Sequence, residues 1–390
     1  MNAPSFIAGK LRFKGRIAMA AIAISFFVMI LAVSISSGFR REIRNGVASI
    51  SGDVQLTSSD MNYISEESPI SSTPPSLGAI DSLPGVVSVA PVIYRAGIVK
   101  NGDNIHGVIF KGVESRDSVY NDLGISIPSR LADLIGLQEG DDMQAYFVGS
   151  ERVKARRFHI VSVYRSLVDA DDKLIVLASL EDLQRLNGWE EDEVSALEVT
   201  LEDKWRKSGL MQAKTDEIGT LALLYAGTYD DVLVAQSSMD KYPQLFDWLN
   251  LIDFNVVAIL ILMTIVAGFN MISGLLILLF QNISTIGTLK SLGMTDKSIG
   301  SVFLRVSSAL VLKGMAIGNA LALLFCSVQG ATHLLKLDPE NYFISYVPVS
   351  VNVPMIILAD VLAYAVIMVL LLVPTMFISK VDPAQTVRAQ

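Results

Sequence analysis

Long stretches without a charged side chain divide the 390-residue chain into apolar and polar parts. Residues 17–39 contain no charge, and neither do residues 254–289. Two further apolar stretches follow, interrupted only by Lys313 and Asp360. A helix rises about 1.5 Å per residue, so about 20 residues cross the ~30 Å hydrocarbon layer, and backbone groups in lipid must be satisfied within the segment. We therefore predict four transmembrane helices, at residues 17–39, 253–281, 301–329 and 354–379.

Basic residues before the first apolar stretch indicate its orientation. Lys10, Arg12, Lys14 and Arg16 favour a cytoplasmic N-terminus, although arginines at residues 40, 41 and 44 weaken this bias. The apolar run is longer than the 7–15 residues typical of a cleavable signal, so we predict a retained anchor. Residues 1–16 mix apolar and basic positions, which predicts a short interfacial helix. Four spans return residues 380–390 to the cytoplasm as a tail.

Residues 40–250 predict a large extracytoplasmic domain of the α+β class, placed between the first and second transmembrane helices. Alternating or β-branched stretches predict strands, and amphipathic stretches predict helices. A loop at residues 330–353 is expected between the last two spans. The predicted strands are 86–90, 97–99, 106–113, 158–163, 174–177 and 194–201, and the predicted helices are 129–137 and 180–186.

The charge of this domain limits its partners. Residues 40–250 carry 20 Lys and Arg against 33 Asp and Glu, a net charge of −13. A negative domain does not favour nucleic acid as a partner, and we predict none. The charge fits either simple solvation or a basic protein partner.

Catalytic patterns are missing from the sequence. It contains no phosphate-binding loop of the Gly-x-x-x-x-Gly-Lys-Ser/Thr type, so ATP binding by that device is excluded. His106, His159 and His333 are scattered, and the acidic group Asp169, Asp171 and Asp172 fits a solvated loop. We predict no catalytic residue, no metal site and no cofactor, and we do not expect an enzyme.

The predicted cytoplasmic loop at residues 282–300 contains a short amphipathic helix. Ile283, Ile286, Leu289 and Lys290 recur at i, i+3, i+6 and i+7, and Gly293 ends the helix. Such a helix either rests on the membrane surface or docks into a groove on a partner. The pattern alone leaves both interpretations open.

Residues 286–294 match the motif Ile-Gly-x-Leu-(Lys/Arg)-(Ala/Ser)-Leu-Gly-(Ala/Met). In this segment the sequence resembles the permeases of type VII ABC transporters, which include FtsX, MacB and the lipoprotein-releasing LolC and LolE proteins. Residues 83–86, 131–141 and 382–384 look most like the lipoprotein-releasing branch. The resemblance implies a separate ABC ATPase bound in the cytoplasm and a second permease chain, identical or different. The residues it implies for ATPase coupling are Ile283, Ile286, Leu289, Lys290, Leu292, Gly293 and Met294.

The same resemblance implies a bacterial inner-membrane protein that extracts acylated lipoprotein cargo towards the outer membrane. In LolC-like subunits a polar hook docks a soluble periplasmic carrier. The corresponding residues 147–158 are short and basic here, so whether this subunit docks a carrier stays open. The alternative function is that of an FtsX-like regulator, which moves no cargo and activates a periplasmic cell-wall hydrolase.

An acyl chain that leaves the bilayer sideways needs an apolar surface next to the external domain. The outer halves of the first two spans offer one, although ordinary lipid-facing or dimer-packing roles fit the same residues. The expected cargo residues are Met29, Ile30, Val33, Val256, Val257 and Leu260.

The two charges within predicted spans, Lys313 and Asp360, are expected to face protein or water. A charge on the lipid face costs at least ~2.5 kcal/mol. They either pair with each other or extend separately to the nearest interface.

Overall fold

A computed structural model describes residues 16–59, 62–114, 123–149, 152–164, 174–226, 232–338 and 344–376. The predicted interfacial helix at residues 1–16, apart from its last residue, lies outside the described residues, as do the tail at 380–390 and Asp169, Asp171 and Asp172.

The described residues form eleven helices and eleven strands. The helices are α1 (Arg16–Ser51), α2 (Leu77–Asp81), α3 (Ser129–Ile135), α4 (Leu180–Asn187), α5 (Ser208–Leu224), α6 (Ser238–Lys241), α7 (Pro243–Gln281), α8 (Ile283–Ser291), α9 (Asp296–Thr332), α10 (Val353–Leu370) and α11 (Leu372–Thr375). The strands are β1 (Val54–Ser58), β2 (Ile70–Ser71), β3 (Val86–Asn101), β4 (Asn104–Val113), β5 (Gly124–Pro128), β6 (Asp142–Val148), β7 (Val153–Tyr164), β8 (Ile175–Ser179), β9 (Glu193–Val194), β10 (Ala196–Leu201) and β11 (Leu233–Ser237).

The chain divides into two compact units. The helical unit consists of Met1–Arg41, Trp248–Lys336 and Tyr346–Gln390, and the sheet unit consists of Glu42–Asp247 and Leu337–Ser345. The boundary between Arg41 and Glu42 lies inside α1, and the boundary between Asp247 and Trp248 lies close to the start of α7.

Four helices among the described residues are long and apolar enough to cross a membrane, judged by length and composition. They are α1, α7, α9 and the segment of α10 and α11, at the four places where the apolar stretches predict spans. The helices are longer than the apolar stretches at several ends. α1 continues to Ser51, α7 begins at Pro243, and α9 begins at Asp296, within the segment 282–300 that was predicted as a loop.

Local chemistry explains where these helices begin and end. The Thr295 hydroxyl accepts a hydrogen bond from the Ser298 N–H at the start of α9, at 3.3 Å. The Asn352 side chain does the same for the Met355 N–H at the start of α10, also at 3.3 Å, and Pro354 occupies the first turn. Such caps satisfy N–H groups that have no partner within the helix.

Glycines let α9 approach α1 closely. A Cβ atom at Gly314 would lie 2.7 Å from a side-chain carbon of Ile22, and one at Gly318 would lie 2.5 Å from the Ala23 carbonyl oxygen. Small residues at helix contacts are typical of packing between membrane helices. The α1 side of this contact includes Ile22 and Phe26, both fully buried.

The sheet unit is built on one nine-stranded sheet, counted over the described residues, in the order β11-β1-β10-β3-β4-β8-β5-β7-β6. The end of β3 also pairs with β6, with Ile98 opposite Tyr146. Strands β3, β4, β8, β5, β7 and β6 therefore close on themselves, and β10, β1 and β11 extend the sheet beyond β3. The rings of Phe110, Phe147 and Phe158 pack together in the core, with centroids 4.9 to 6.2 Å apart.

The predicted strands overlap observed strands, but several are fragments of longer ones, and 194–201 covers the end of β9 and all of β10. Residues 86–90 and 97–99 both belong to β3, which runs without a break from Val86 to Asn101. Strands β1, β2, β5, β6 and β11 were not predicted, and β2 pairs with β9. The α+β class is as predicted.

Candidate functional site

The helix α8 lies between two apolar helices of the helical unit and carries most of the predicted ATPase-coupling residues. Its C-terminus is closed by Gly293, whose φ of 85° is unfavourable for other residues. The Gly293 N–H donates to the Lys290 carbonyl at 2.9 Å, and the Met294 N–H donates to the Leu289 carbonyl at 3.0 Å. These two hydrogen bonds form the helix C-terminus with a left-handed residue that a glycine at this position predicts.

The two faces of this segment differ in exposure. Leu292 is 78% exposed and Ile283 is 38% exposed. Ile286 is only 1% exposed and belongs to the apolar core of the helical unit, against which Leu289 and Met294 also pack. The contact of Ile286 with a partner stays a prediction, and in this structure the chain's own core covers its side chain.

Lys290 is also committed within the chain. Its ammonium lies 2.9 Å from Asp296 Oδ1, and its side chain is 11% exposed. The ion pair joins the end of α8 to the first turn of α9. The surface that this segment offers to a partner is thus centred on Ile283 and Leu292, which we call the exposed coupling surface.

An apolar groove of about 400 Å³ lies in the helical unit among α1, α7 and α10. Three of the six predicted cargo residues, Met29, Val257 and Leu260, line it. Its one polar lining residue is Thr264. The Thr264 hydroxyl donates a hydrogen bond to the Leu260 carbonyl at 2.7 Å, so its proton is already used within α7. The remaining lining residues are Ile261, Ile265, Ala359, Leu362, Ala363 and Val366.

The other three predicted cargo residues are not on the groove. Ile30, Val33 and Val256 are buried together with Ala322 and Ile356, in a seam of packed helices. In this structure they pack between helices and do not face the groove. The contribution of α10 to the groove wall was not predicted, because the sequence of an apolar helix does not indicate which neighbour it will face.

The two charges within the predicted spans, Lys313 and Asp360, do not form an ion pair among the described residues. Asp360 is buried, and its Oδ2 accepts a hydrogen bond from the Asn319 side chain at 2.5 Å. Lys313 is exposed. Pairing of Lys313 with Asp360 was one of two expectations, and the structure gives Asp360 a different partner on α9. A carboxylate in an apolar span needs a hydrogen-bond donor, but the sequence does not specify which polar residue supplies it.

In the sheet unit, the described residues of the range 147–158, which are 147–149 and 152–158, belong to strands β6 and β7 and their adjoining ends. The Lys154 ammonium donates to the Leu186 carbonyl at 2.8 Å and lies 3.3 Å from Glu66 Oε2. Arg152 and Arg156 are exposed. Lys154 therefore helps to hold the hairpin within its own unit.

Asp142, at the start of β6 in this hairpin, contacts a histidine and an arginine of β7. The His159 ring lies 3.1 Å from Asp142 Oδ1, and Arg157 lies 2.8 Å from Oδ2. The hydrogen bond to His159, with the charge of Arg157, lowers the pKa of Asp142. Neither a nucleophile nor a third ligand accompanies the pair, and the described residues contain no group of three His, Cys, Asp or Glu side chains that could hold a metal.

The chain is similar to permease proteins of known families. Residues 257–383, which include α8 and the groove walls from α7 and α10, match the FtsX-like permease C-terminal family. The chain is 22% identical to the lipoprotein-releasing system transmembrane protein LolC of Neisseria meningitidis, over 97% of this chain and 95% of that protein. It is 20% identical to the corresponding LolE of Haemophilus influenzae, over 93% of this chain and 91% of that protein.

Among solved structures, the periplasmic region of MacB from Actinobacillus actinomycetemcomitans aligns with 50% of this chain and 94% of its own length, at 12% identity. The TM-score of 0.32 is too low to transfer any feature from it.

Proposed function

We propose that this chain, which carries an FtsX-like permease domain over residues 257–383 and is similar over nearly its whole length to LolC and LolE proteins, extracts acylated lipoproteins from the bacterial inner membrane for delivery towards the outer membrane. It acts as the non-catalytic permease subunit of an ABC transporter. A separate ATPase binds the exposed coupling surface, and a second permease chain completes the complex. With the N-terminus in the cytoplasm, α8 faces the ATPase and the sheet unit lies on the periplasmic side.

The observation that carries this proposal is the apolar groove. An acyl chain that leaves the bilayer loses about 0.8 kcal/mol of favourable transfer for each CH₂ group, unless an apolar surface replaces the lipid. The groove offers that surface through exposed side chains such as Val257, Ile261 and Leu362, with its one hydroxyl already hydrogen bonded. A polar or peptide substrate finds no free donor or acceptor among its lining side chains.

The exposed coupling surface supports the ATPase part of the proposal. Leu292 is a large apolar side chain exposed beside a tightly closed helix end, so burying it against a partner removes apolar area from water and favours binding. Ile286 and Lys290 fix the segment to the helical unit. Force applied at Leu292 is thereby applied to α9 as well, through the Lys290–Asp296 ion pair.

Site-specific photo-crosslinking tests the cargo. A photo-reactive amino acid at Val257, on the groove wall, should capture acylated protein in membranes before ATP is added and lose it afterwards. The matched control is Val369, which is 65% exposed on α10 but does not line the groove. It should capture phospholipid under both conditions.

Capture of only phospholipid, or of a neighbouring permease, at both positions and under both conditions would exclude lipoprotein extraction. The FtsX-like regulatory function would then be the better explanation. Activation of a cell-wall hydrolase by the complex, measured with and without ATP, would test that alternative.

A further inference from the structure

A carboxylate on α7 binds two residues of α1 within the helical unit. The Ser36 hydroxyl donates to Asp253 Oδ1 at 2.9 Å, and the Arg40 guanidinium forms an ion pair with Asp253 Oδ2. Ser36 and Arg40 are four residues apart, so both project from the same face of α1. We call this group, Ser36, Arg40 and Asp253, the Asp253 latch.

The latch is the polar part of an otherwise apolar contact between the two helices. On one side of it Phe39 and Trp248 pack edge to face, with ring centroids 5.6 Å apart. On the other side lies the seam of packed helices that contains Val33 and Val256. The side chains of Arg40 and Asp253 are 36% and 32% exposed, so the ion pair is only partly covered.

The latch lies close to the apolar groove along both helices. Val257, on the groove wall, follows Asp253 by one helical turn. Met29 precedes Ser36 by about 10 Å of helix, at about 1.5 Å per residue. Met29 is 1% exposed, so it forms the floor of the groove, while α7 forms one wall. The spacing between this wall and the floor is therefore fixed near one end by the Asp253 latch.

We propose that the Asp253 latch controls access to the groove. When closed, it holds α7 against α1 and keeps Met29 covered; when open, it lets the α7 wall move away so that the groove deepens enough for an acyl chain. An ion pair between partly exposed groups contributes little net stability, so it can break and re-form during a transport cycle. The identity of the ligand rests on the proposed function, whereas the control of Met29 exposure does not.

Cysteine labelling in the full-length chain tests the latch without any cargo. The chain contains one cysteine, Cys326, so a Cys326→Ala, Met29→Cys background gives a single reactive thiol at the groove floor. In lipid vesicles, an apolar maleimide should react slowly when the latch is intact. Adding Asp253→Ala should raise the rate about fivefold, in proportion to the population of the open state, which is the most that a partly exposed ion pair can hold back. The control Asp247→Ala, an exposed acid on the same helix, should leave the rate unchanged.

A reversed ion pair separates latch control from general loss of structure. Arg40→Asp and Asp253→Arg should each speed the labelling of Met29→Cys, and the two together should return it towards the slow rate. An unchanged rate in Asp253→Ala, or a double variant as fast as either single variant, would overturn the proposal.

Locking the latch covalently tests its role in cargo entry. A Ser36→Cys, Asp253→Cys pair in the Cys326→Ala background should form a disulfide across the latch. The oxidised chain should fail to take up a synthetic triacylated lipopeptide, and reduction should restore uptake. Equal uptake by the oxidised and reduced forms would contradict the gating role. Absence of uptake by the unmodified chain, together with labelling rates that follow the latch, would contradict the proposed cargo and leave the latch supported.

Discussion

At the scale of single residues, Asp53 decides how the chain passes from α1 into β1 within the sheet unit. Its side chain is buried, and its Oδ2 accepts hydrogen bonds from the Leu201 N–H at 2.7 Å and from Arg206 Nε at 3.0 Å. Its backbone carbonyl accepts from the Ser238 N–H at 2.8 Å. Burial raises the pKa of Asp53 above its ordinary value, because desolvation outweighs the hydrogen bonds and the charge of Arg206.

The raised pKa predicts a pH dependence of stability. The folded state holds the Asp53 proton more tightly than the unfolded chain does, so its contribution is most favourable below the unfolded pKa of about 4. Stability is then lost as the pH rises through the folded pKa. The Asp53→Asn variant cannot titrate, so its stability should not fall in this way as the pH rises. Thermal unfolding of the full chain in detergent, followed by tryptophan fluorescence, measures the stability. Asp142→Asn is the control of opposite sign, because the pKa of Asp142 is lowered and its stabilisation is lost as the pH falls. Parallel pH profiles for wild type and Asp53→Asn would contradict the prediction.

At the scale of elements, the contact between α1 and α9 depends on missing side chains. Gly318 lies where a Cβ atom would come within 2.5 Å of the Ala23 carbonyl oxygen and 2.9 Å of the Phe26 side chain. A backbone carbonyl cannot move aside without moving its helix. Close packing here places the α1 face that carries Phe26 and Met29 in the core of the helical unit.

Enlarging this glycine should separate the two helices. We expect Gly318→Leu to destabilise the helical unit by about 1–3 kcal/mol, the usual effect of overpacking. The higher helix propensity of leucine stabilises the helix by only about 1 kcal/mol, which offsets part of this loss. Gly330→Leu on the same helix is the matched control, because the nearest atom to its Cβ lies at an ordinary 3.5 Å. Detergent unfolding should show a loss for the first variant only, and equal stability of the two variants would show that the contact tolerates a side chain.

At the scale of the whole molecule, the proposed transport needs the exposed coupling surface and the groove to act together. Both belong to the helical unit, and both involve helices that meet in one apolar core. Ile286 of α8 packs in the same cluster as Met29, which forms the groove floor. A displacement of α8 by the ATPase therefore reaches the groove through packed side chains.

Leu292→Asp should uncouple the ATPase from release. Loss of one interface anchor costs about 2 kcal/mol, which is roughly a 30-fold loss of affinity. In vesicles with the partner ATPase, cargo-stimulated ATP hydrolysis and lipopeptide release should fall together, while membrane insertion is unchanged. Leu334→Asp, at a 72% exposed leucine beyond the other end of α9, is the control. Full coupled activity in Leu292→Asp would place the ATPase contact elsewhere.

Several features follow from the sequence alone because their causes are local. Stretches of about 20 apolar residues can satisfy their backbone only as helices, so the four long helices were predictable. Gly293 ends α8 because the αL conformation there favours glycine, and that too is a local requirement. The strand periodicity between residues 86 and 201 indicated the α+β class for the same reason.

The tertiary structure alone decided which of these local elements face one another. Periodicity placed Ile286 on the α8 surface, whereas packing in three dimensions buried it and left Leu292 exposed. Asp360 had to find a donor, but only the fold selected Asn319, 41 residues away in sequence. The Asp253 latch, the α10 wall of the groove and the closure of β3 onto β6 arise in the same way. Each joins residues distant along the chain, and no local pattern specifies such a pair, because many partners satisfy the same chemical need.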